Sequence, residues 1–284
     1  MLLFLMRLLS HLPLGVLQAV GRVGGWLVFA LPGRYRSRLI ENARLAGFYD
    51  RKFAWQAAGE TGAMIMELPK IWLQPEQCLA KLSGDQEHIP RQAQASGRGV
   101  LYLTPHLGSF DLLARHGARQ QRLTVMFRPP RKAFLAPLLQ AARNAAGVVA
   151  VPANLRGVRA FLKALKRHEA VGMLPDQVPR GGDGVWAPFF GRYAFTVTLP
   201  GKLATMTNAI VIVAACERLP RGQGWRMHYL RAPDELPSEP QAQAALFNDM
   251  MQTMIKRFPT QYLWSYNRYK HPKEAPPPPE NKPT

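Results

Sequence analysis

From residue 98 onward, short apolar runs alternate with amphipathic stretches, and this alternation limits the possible folds more than any other feature. The apolar runs are GVLYLT, LTVMF, GVVAV and AVGML, and they are separated by amphipathic segments at 107–117, 133–146 and 155–167. NAIVIVAACE and WRMHYLR are predicted to be further strands, and 241–258 a further helix. Strands that alternate with helices of this length are typical of α/β layers. We therefore predict an α/β fold in which helices flank a central mixed, largely parallel sheet.

Residues 1–31 form the most hydrophobic part of the chain. A secretory signal peptide does not fit, because the run is too long and no small-residue cleavage motif follows a compact apolar stretch. A simple membrane span is disfavoured by Arg22 near its middle, which costs about 2.5–3.5 kcal/mol on insertion. On a helical wheel Arg7, His11, Gln18 and Arg22 fall within about 60° of one another. This stripe suits a helix in the membrane interface or one whose polar side faces the protein; a buried core helix is the alternative.

The segments on either side of the central region suggest a division of the chain into three parts. PGRYRSR follows the apolar run, and its three arginines place the remaining chain in the cytosol under the positive-inside rule. Residues 39–97 are predicted to be helical, and the polar, proline-rich end is expected to be extended and disordered. We expect a membrane-anchoring helix with a basic stop at 1–38, a main domain at 39–270 and a tail at 271–284.

The charge of the chain predicts an anionic partner. Lys and Arg number 37 against 18 Asp and Glu, which gives a net charge of +19. Nucleic acid, anionic lipid or an acidic protein would satisfy this charge. Nucleic acid is disfavoured because the basic residues are dispersed and are not gathered with aromatic residues into a binding module. The two cysteines, Cys78 and Cys216, have no metal-ligand spacing and indicate a reducing compartment.

His106 lies at the end of a predicted strand, in GVLYLTPHLGSFDLLARHG. Ligands bind at this edge of open α/β sheets. A histidine there can act as a general base, and a carboxylate on its other ring nitrogen fixes the tautomer and stabilises the imidazolium. Asp111 lies in the first turns of the following helix, so the chain can fold His106 back over it. The spacing suits a catalytic dyad, and it equally suits a loop histidine with an aspartate that only stabilises a helix N-terminus.

Metal binding is the competing chemistry, because His106, Asp111 and His116 recur at five-residue intervals. On a helix five residues advance about 500°, so Asp111 and His116 point about 140° apart and do not readily converge on one ion. The pattern favours a site without a metal.

Two further predicted strands end in polar residues. Arg128 closes one of them before a Pro-Pro stop, and Asp176 and Gln177 end the other before a glycine-rich loop. These strands are expected to open on the same edge of the sheet as His106. Arg128, and Arg143 late in the next predicted helix, suit bidentate contacts with phosphate, although a surface arginine without a specific contact is commoner.

The predicted helix 155–167 has a basic side. A solvated face is the simplest explanation, and docking of an acidic partner is the alternative. Its cations are Arg156, Arg159, Lys163 and Lys166.

Several blocks together resemble the lipid A late acyltransferases of Gram-negative bacteria, the lauroyl and myristoyl transferases within the glycerophospholipid acyltransferase superfamily. The resemblance covers nearly the whole chain before the tail. Besides the hydrophobic N-terminus, it is carried by HLGSFD, FRPPRKAFLAPLLQAARNAAGV, LPDQVPRGGDGVWAPFFG and QYLWSYNRYK, of which the third is the most specific. Two positions depart from the family pattern: Asp111 stands where Glu is usual, and Asn267 stands where a basic residue is expected.

The resemblance implies roles for individual residues. His106 would be the general base and Asp111 its orienting carboxylate, while Arg128, Arg143 and Asp176 would be functionally important positions. The implied reaction is direct acyl transfer from acyl carrier protein to a hydroxyl of a phosphorylated lipid A precursor, at the cytoplasmic face of the inner membrane, with no metal or cofactor. Another membrane lipid as acceptor and a non-enzymatic basic protein remain as alternatives.

Overall fold

The computed structural model describes residues 2–84, 86–127, 147–179 and 182–280. The β-strands of these segments are β1 (Leu82–Ser83), β2 (Val100–Leu103), β3 (Leu123–Phe127), β4 (Val148–Pro152), β5 (Ala170–Met173), β6 (Gly184–Phe189), β7 (Arg192–Val197), β8 (Ile210–Arg218) and β9 (Trp225–Arg231). Seven of them form one sheet in the order β1-β9-β8-β2-β5-β3-β4. All neighbouring pairs are parallel except β8 and β9. The predicted α/β class with a mixed, largely parallel sheet is confirmed.

Helices cover both faces of this sheet. The α-helices of the described residues are α1 (Leu2–His11), α2 (Leu14–Ala30), α3 (Arg34–Leu45), α4 (Arg51–Leu73), α5 (Pro75–Leu79), α6 (His88–Ala95), α7 (Phe110–Gln120), α8 (Leu155–Lys166), α9 (Leu199–Thr207) and α10 (Pro240–Arg257). The predicted helix at 133–146 lies outside the described residues.

The centre of the sheet is buried on both faces, as is usual for parallel strands. Successive residues of β2 point to opposite sides. Leu101 and Leu103 belong to the core that contains the methionines of α10, whereas Val100 and Tyr102 belong to the core that contains the leucines of α7. The sequence run that contains β2 is therefore apolar throughout instead of alternating.

The N-terminal segment forms two helices, because the chain breaks at Pro13 between α1 and α2. Helix α2 crosses α4 so closely that a Cβ at Gly62 would lie 2.0 Å from the carbonyl oxygen of Gly21. The polar stripe of α2 faces α4: Gln18 is fully buried, and Arg22 Nε lies 2.7 Å from Glu60 Oε1.

The opposite side of α1 and α2 is apolar and exposed. Its exposed large side chains include Phe4, Leu5, Leu8, Val16, Val20, Val23, Leu27, Val28 and Leu31. In the described part of the chain no single helix has both the length and the apolar character needed to cross a bilayer. Among the described helices, α2 and α3 taken together meet those requirements of length and composition, and their axes are bent by 98°.

The glycine-rich segment after Gln177, expected to be a loop, contains a β-hairpin. Strands β6 and β7 pair in antiparallel fashion, and Trp186 lies opposite Phe195. The two residues that join the strands, Phe190 and Gly191, have φ values of 45° and 73°. Two positive φ angles at the central residues are the signature of a type I′ hairpin turn. The usual sequence signal for such a turn is Asn-Gly or Asp-Gly, and its absence hid the hairpin.

The beginning of the proline-rich tail lies against this hairpin. Trp186 Nε1 donates a hydrogen bond to the carbonyl oxygen of Pro276 at 2.8 Å, and Ala275 is buried beside Trp186 and Phe195. Residues 271–280 form neither helix nor strand, and 281–284 lie outside the described residues.

Candidate active site

The turn between β2 and α7 carries His106 and is held by backbone contacts with distant segments. The His106 carbonyl accepts from Leu263 N at 3.0 Å, and Ser109 N donates to the Cys216 carbonyl at 2.8 Å. Gly108 has φ of +61°, and a Cβ there would lie 2.0 Å from the Cys216 oxygen. Only glycine fits at this position, since its φ is left-handed and the neighbouring backbone leaves no room for a methyl group.

The His106 imidazole is held at both ring nitrogens. Nδ1 lies 2.7 Å from Asp176 Oδ1, and the other carboxylate oxygen of Asp176 accepts from His106 N at 2.8 Å. Gln177 Nε2 lies 3.2 Å from His106 Nε2. With Nδ1–H donating to Asp176, the lone pair resides on Nε2, where a general base needs it. The imidazole side chain is 18% exposed and Asp176 only 3%, so a substrate can approach the base while its partner stays buried.

Asp176 is held in its ionised form. Burial raises the pKa of this carboxyl, but the charge of His106 and its two hydrogen bonds outweigh burial, and the pKa of Asp176 lies below its usual value. An ionised Asp176 can stabilise the imidazolium that forms when His106 accepts a proton.

The carboxylate on Nδ1 differs from the one expected from the sequence. Asp111 Oδ1 accepts a hydrogen bond from Trp72 Nε1 at 3.3 Å, and the Nδ1 position belongs to Asp176. The expectation that Asp111 orients the ring through Nδ1 is corrected in this respect. The reason is that β2 and β5 are parallel neighbours, so Asp176 reaches the end of β2, whereas Asp111 begins a helix that packs against α4.

Asp111 nevertheless lies in the electrostatic field of the site. Burial raises the pKa of Asp111 above its usual value, while the Trp72 hydrogen bond and the charges of Arg115 and His106 act in the opposite direction. The attraction between Asp111 and a protonated His106 is mutual.

His116, the third member of the five-residue series, has Nε2 3.1 Å from Glu87 Oε1. Within the described segments, no three His, Cys, Asp or Glu side chains gather in a way that could hold a metal ion.

The structure brings together three of the six residues selected from the sequence: His106, Asp176 and Gln177. Asp111 lies in the adjoining helix. Arg128 and Arg143 fall within 128–146 and lie outside the described residues. Phe110, whose ring meets the imidazole edge-on with centroids 5.1 Å apart, was not among the residues predicted from the sequence. Its position inside the HLGSFD block was the available signal.

A cavity of about 260 Å³ lies beside the turn at 104–109 that carries His106, hereafter the histidine turn, and between α7 and one face of the sheet. Its lining extends from Thr104 and Phe110, on either side of His106 in sequence, to Leu123 and Val148, where β3 and β4 begin. The other described lining residues are mainly apolar: Trp72, Tyr102, Asp111, Leu113, Ala114, Arg115, Val125, Met126, Phe127, Ala150, Gly172, Met173 and Leu174. A long apolar ligand group suits this lining.

Known proteins similar to this chain share one family. The family model described as bacterial lipid A biosynthesis acyltransferase matches residues 1–271. The chain is 27% identical over 224 residues to the lipid A biosynthesis lauroyltransferase of Escherichia coli (strain K12), covering 78% of this chain and 72% of that protein. It is 26% identical over 212 residues to the lipid A biosynthesis palmitoleoyltransferase of the same strain, covering 74% and 68%. The chain therefore belongs to the bacterial lipid A biosynthesis acyltransferase family.

Proposed function

We propose that this acyltransferase moves a fatty acyl chain from the thioester of acyl carrier protein to a hydroxyl group of a phosphorylated lipid A precursor. The observation that carries the proposal is the His106 imidazole, which is partly exposed, whose Nδ1 is bonded to a buried carboxylate, and whose turn contributes Thr104 and Phe110 to the lining of an apolar cavity. Family membership supplies the acyl-transfer class.

In the proposed reaction, His106 Nε2 removes the proton of the acceptor hydroxyl as its oxygen attacks the thioester carbonyl carbon. The tetrahedral intermediate collapses, the carbon–sulfur bond breaks, and the imidazolium returns its proton to the leaving thiolate. Asp176 holds the ring and balances its charge, and Asp111 adds negative potential from α7. The Gln177 amide, beside Nε2, holds the acceptor oxygen. Arg128 and Arg143 are assigned to the phosphates of the acceptor, and no step calls for a metal or a covalent acyl-enzyme.

The acyl chain is assigned to the cavity beside α7. Burial of apolar surface stabilises a bound chain by about 25 cal/mol per Å². Because Thr104 and Phe110 lie at the cavity and on either side of His106 in sequence, the thioester of a chain seated there would lie near Nε2.

Acyl carrier protein is proposed as the donor because of charge. The net charge of +19 favours an acidic partner, and α8 exposes Arg156, Arg159, Lys163 and Lys166 just after β4 reaches the edge of the sheet that carries His106. Arg159→Glu should raise the KM for the acyl carrier protein donor several-fold at an unchanged kcat. Lys256→Glu, an exposed cation on α10, is the matched control. Equal KM values in both variants would remove α8 from donor binding.

The inner membrane is the proposed location, with the enzyme at its cytoplasmic face. The exposed apolar side of α1 and α2 suits insertion into the interface of a bilayer, because exposed apolar patches mark protein or membrane interaction sites. The polar residues of α2, Gln18 and Arg22, contact α4, so they do not oppose insertion.

The function is tested with purified enzyme, acyl carrier proteins of several chain lengths and a lipid A precursor. The expected product is the precursor with one more acyl chain, detected by mass spectrometry, and His106→Ala should abolish it while leaving folding intact. Product formed only with a lysophospholipid or amino-acid-containing lipid would move the function to that acceptor. A full rate in His106→Ala would remove the histidine from the mechanism.

A further inference from the structure

A buried network of charges links the N-terminal helices to the histidine turn. Arg218, at the end of β8, donates to Glu67 at 2.7 and 2.8 Å and to Glu60 at 2.8 Å. Glu60 also accepts from Arg22 of α2 at 2.7 Å. Glu67 accepts a hydrogen bond from the hydroxyl of Ser109, the residue that immediately precedes α7. The network thus runs from α2 through α4 and β8 to the turn that carries His106.

The centre of this network is sealed from solvent. The side chains of Arg218 and Glu67 are both 0% exposed. Burial lowers the pKa of Arg218, but the charges and hydrogen bonds of Glu67 and Glu60 outweigh it and raise the pKa above its usual value. A buried ion pair is weak evidence for stability, since hydrophobic residues often serve as well in its place. A function in holding a defined geometry is the alternative explanation.

Ser109 provides a direct contact between this network and the turn. A serine at a helix N-cap ordinarily accepts a hydrogen bond from the second or third backbone N–H of the helix. Ser109 makes no such capping bond, and its hydroxyl donates to Glu67 instead. The same residue is fixed from its backbone by the Cys216 carbonyl.

A second arm reaches the turn from Arg218 through Gln261. The Gln261 amide bonds both backbone groups of Arg218, accepting from N at 2.8 Å and donating to O at 2.9 Å. The backbone carbonyl oxygen of Gln261 accepts a hydrogen bond from Gly108 N at 3.1 Å. Two consecutive residues of the turn, Gly108 and Ser109, are therefore held by hydrogen bonds to Gln261 and Glu67, and both of these residues bond Arg218.

We propose that Glu67 is a positioning residue for His106. Glu67 is itself held by Arg218, and by binding Ser109 it determines the position of the imidazole relative to the bound thioester. The inference rests on the proposed function for its kinetic consequence. Because Arg22 extends the network into α2, the packing of the N-terminal helices on α4 also affects the position of this turn. Displacement of a catalytic group by about 1 Å can cost on the order of 100-fold in rate.

The kinetic test is Ser109→Ala, which removes the hydroxyl and leaves the ion pairs intact. We expect kcat to fall at least tenfold while the KM for the acyl donor stays the same, and Ser109→Thr, which restores a hydroxyl, to recover most of the rate. Thr207→Ala is the control, since its hydroxyl bonds the Leu203 carbonyl within α9. A wild-type kcat in Ser109→Ala, or a loss carried by KM, would overturn the proposal.

A second measurement is independent of activity. Proteins labelled with ¹⁵N-histidine report the imidazole environment by NMR, and the His106 signals are assigned from the His106→Ala spectrum. We expect Ser109→Ala and Glu67→Gln to shift the His106 signals and Thr207→Ala to leave them in place. Unchanged His106 signals in both turn variants would refute the positioning role. Shifted signals in an enzyme that transfers no acyl chain would keep the positioning role and reject the proposed function.

Discussion

At the scale of single residues, strand register decides which carboxylate meets the imidazole. Leu103 of β2 pairs with Met173 of β5, and the two strands run in parallel. His106 and Asp176 each lie three residues beyond this pair, so both side chains stand at the same height above the sheet edge. Their proximity is thus a property of strand order, which residue spacing along the chain does not contain.

Substitution of the two aspartates is expected to lower kcat to different extents. Asp176→Asn should lower kcat by about 10²–10⁴-fold, because an amide at Nδ1 no longer fixes the tautomer or balances the imidazolium. Asp111→Asn should lower kcat by less, since its carboxylate acts through charge from α7. Steady-state kinetics of both variants decide between them, and a larger loss in Asp111→Asn would restore Asp111 as the main partner.

The pH dependence follows from the same assignment. Because the pKa of Asp176 is lowered, its carboxylate stays ionised while the pH falls through the range in which histidine gains a proton. Asp176 should therefore contribute no ionisation to the acid limb of the kcat/KM profile, which we assign to His106, whereas the raised pKa of Asp111 brings a second, weaker ionisation closer to that limb. Asp176→Asn should shift this limb towards lower pH, because the protonated ring loses its counter-charge.

At the scale of elements, β5 shapes the cavity through a glycine at its centre. Glycine is unfavourable within a strand and often marks a place where a ligand comes close. A Cβ at Gly172 would meet Val125 and Leu123 at 3.4 and 3.6 Å, which are ordinary contact distances. A larger side chain at this position would therefore extend into the cavity.

Gly172→Val should therefore shorten the acyl chain that the enzyme prefers. The β-branched side chain suits a strand and occupies part of the cavity floor. Comparison of kcat/KM across acyl carrier proteins of graded chain length measures the effect, and Gly172→Ala should give a smaller shift in the same direction. An unchanged chain-length preference in a folded Gly172→Val protein would place the acyl chain elsewhere.

At the scale of the whole molecule, the sheet and helices leave one side of the N-terminal helices uncovered. Leu27→Asp, at a side chain that is 66% exposed, should reduce binding to anionic lipid vesicles several-fold. Met206→Asp, 65% exposed on α9, is the matched control. Co-sedimentation with vesicles measures both variants, and equal binding would show that α2 is not the contact surface.

The sequence patterns predicted the parts of the molecule that depend on local periodicity. The apolar runs became β2 to β5, β8 and β9. Of the predicted polar stripe, Gln18 and Arg22 face the protein, whereas Arg7 and His11 are exposed. The β6–β7 hairpin was missed because a Phe-Gly turn replaces the usual signal. The Asp176 partnership and the Glu67 network were missed because both join segments that only the fold brings together.

The contacts that hold the histidine turn come from far downstream, at Cys216, Gln261 and Leu263. A ribosome releases the chain from its N-terminus, so α1 and α2 emerge long before these segments do. If the apolar face of these helices docks on the bilayer as proposed, docking can precede completion of the turn. A nascent chain would then reach its lipid substrate before it could react with any acyl donor, which couples the maturation of the enzyme to its delivery.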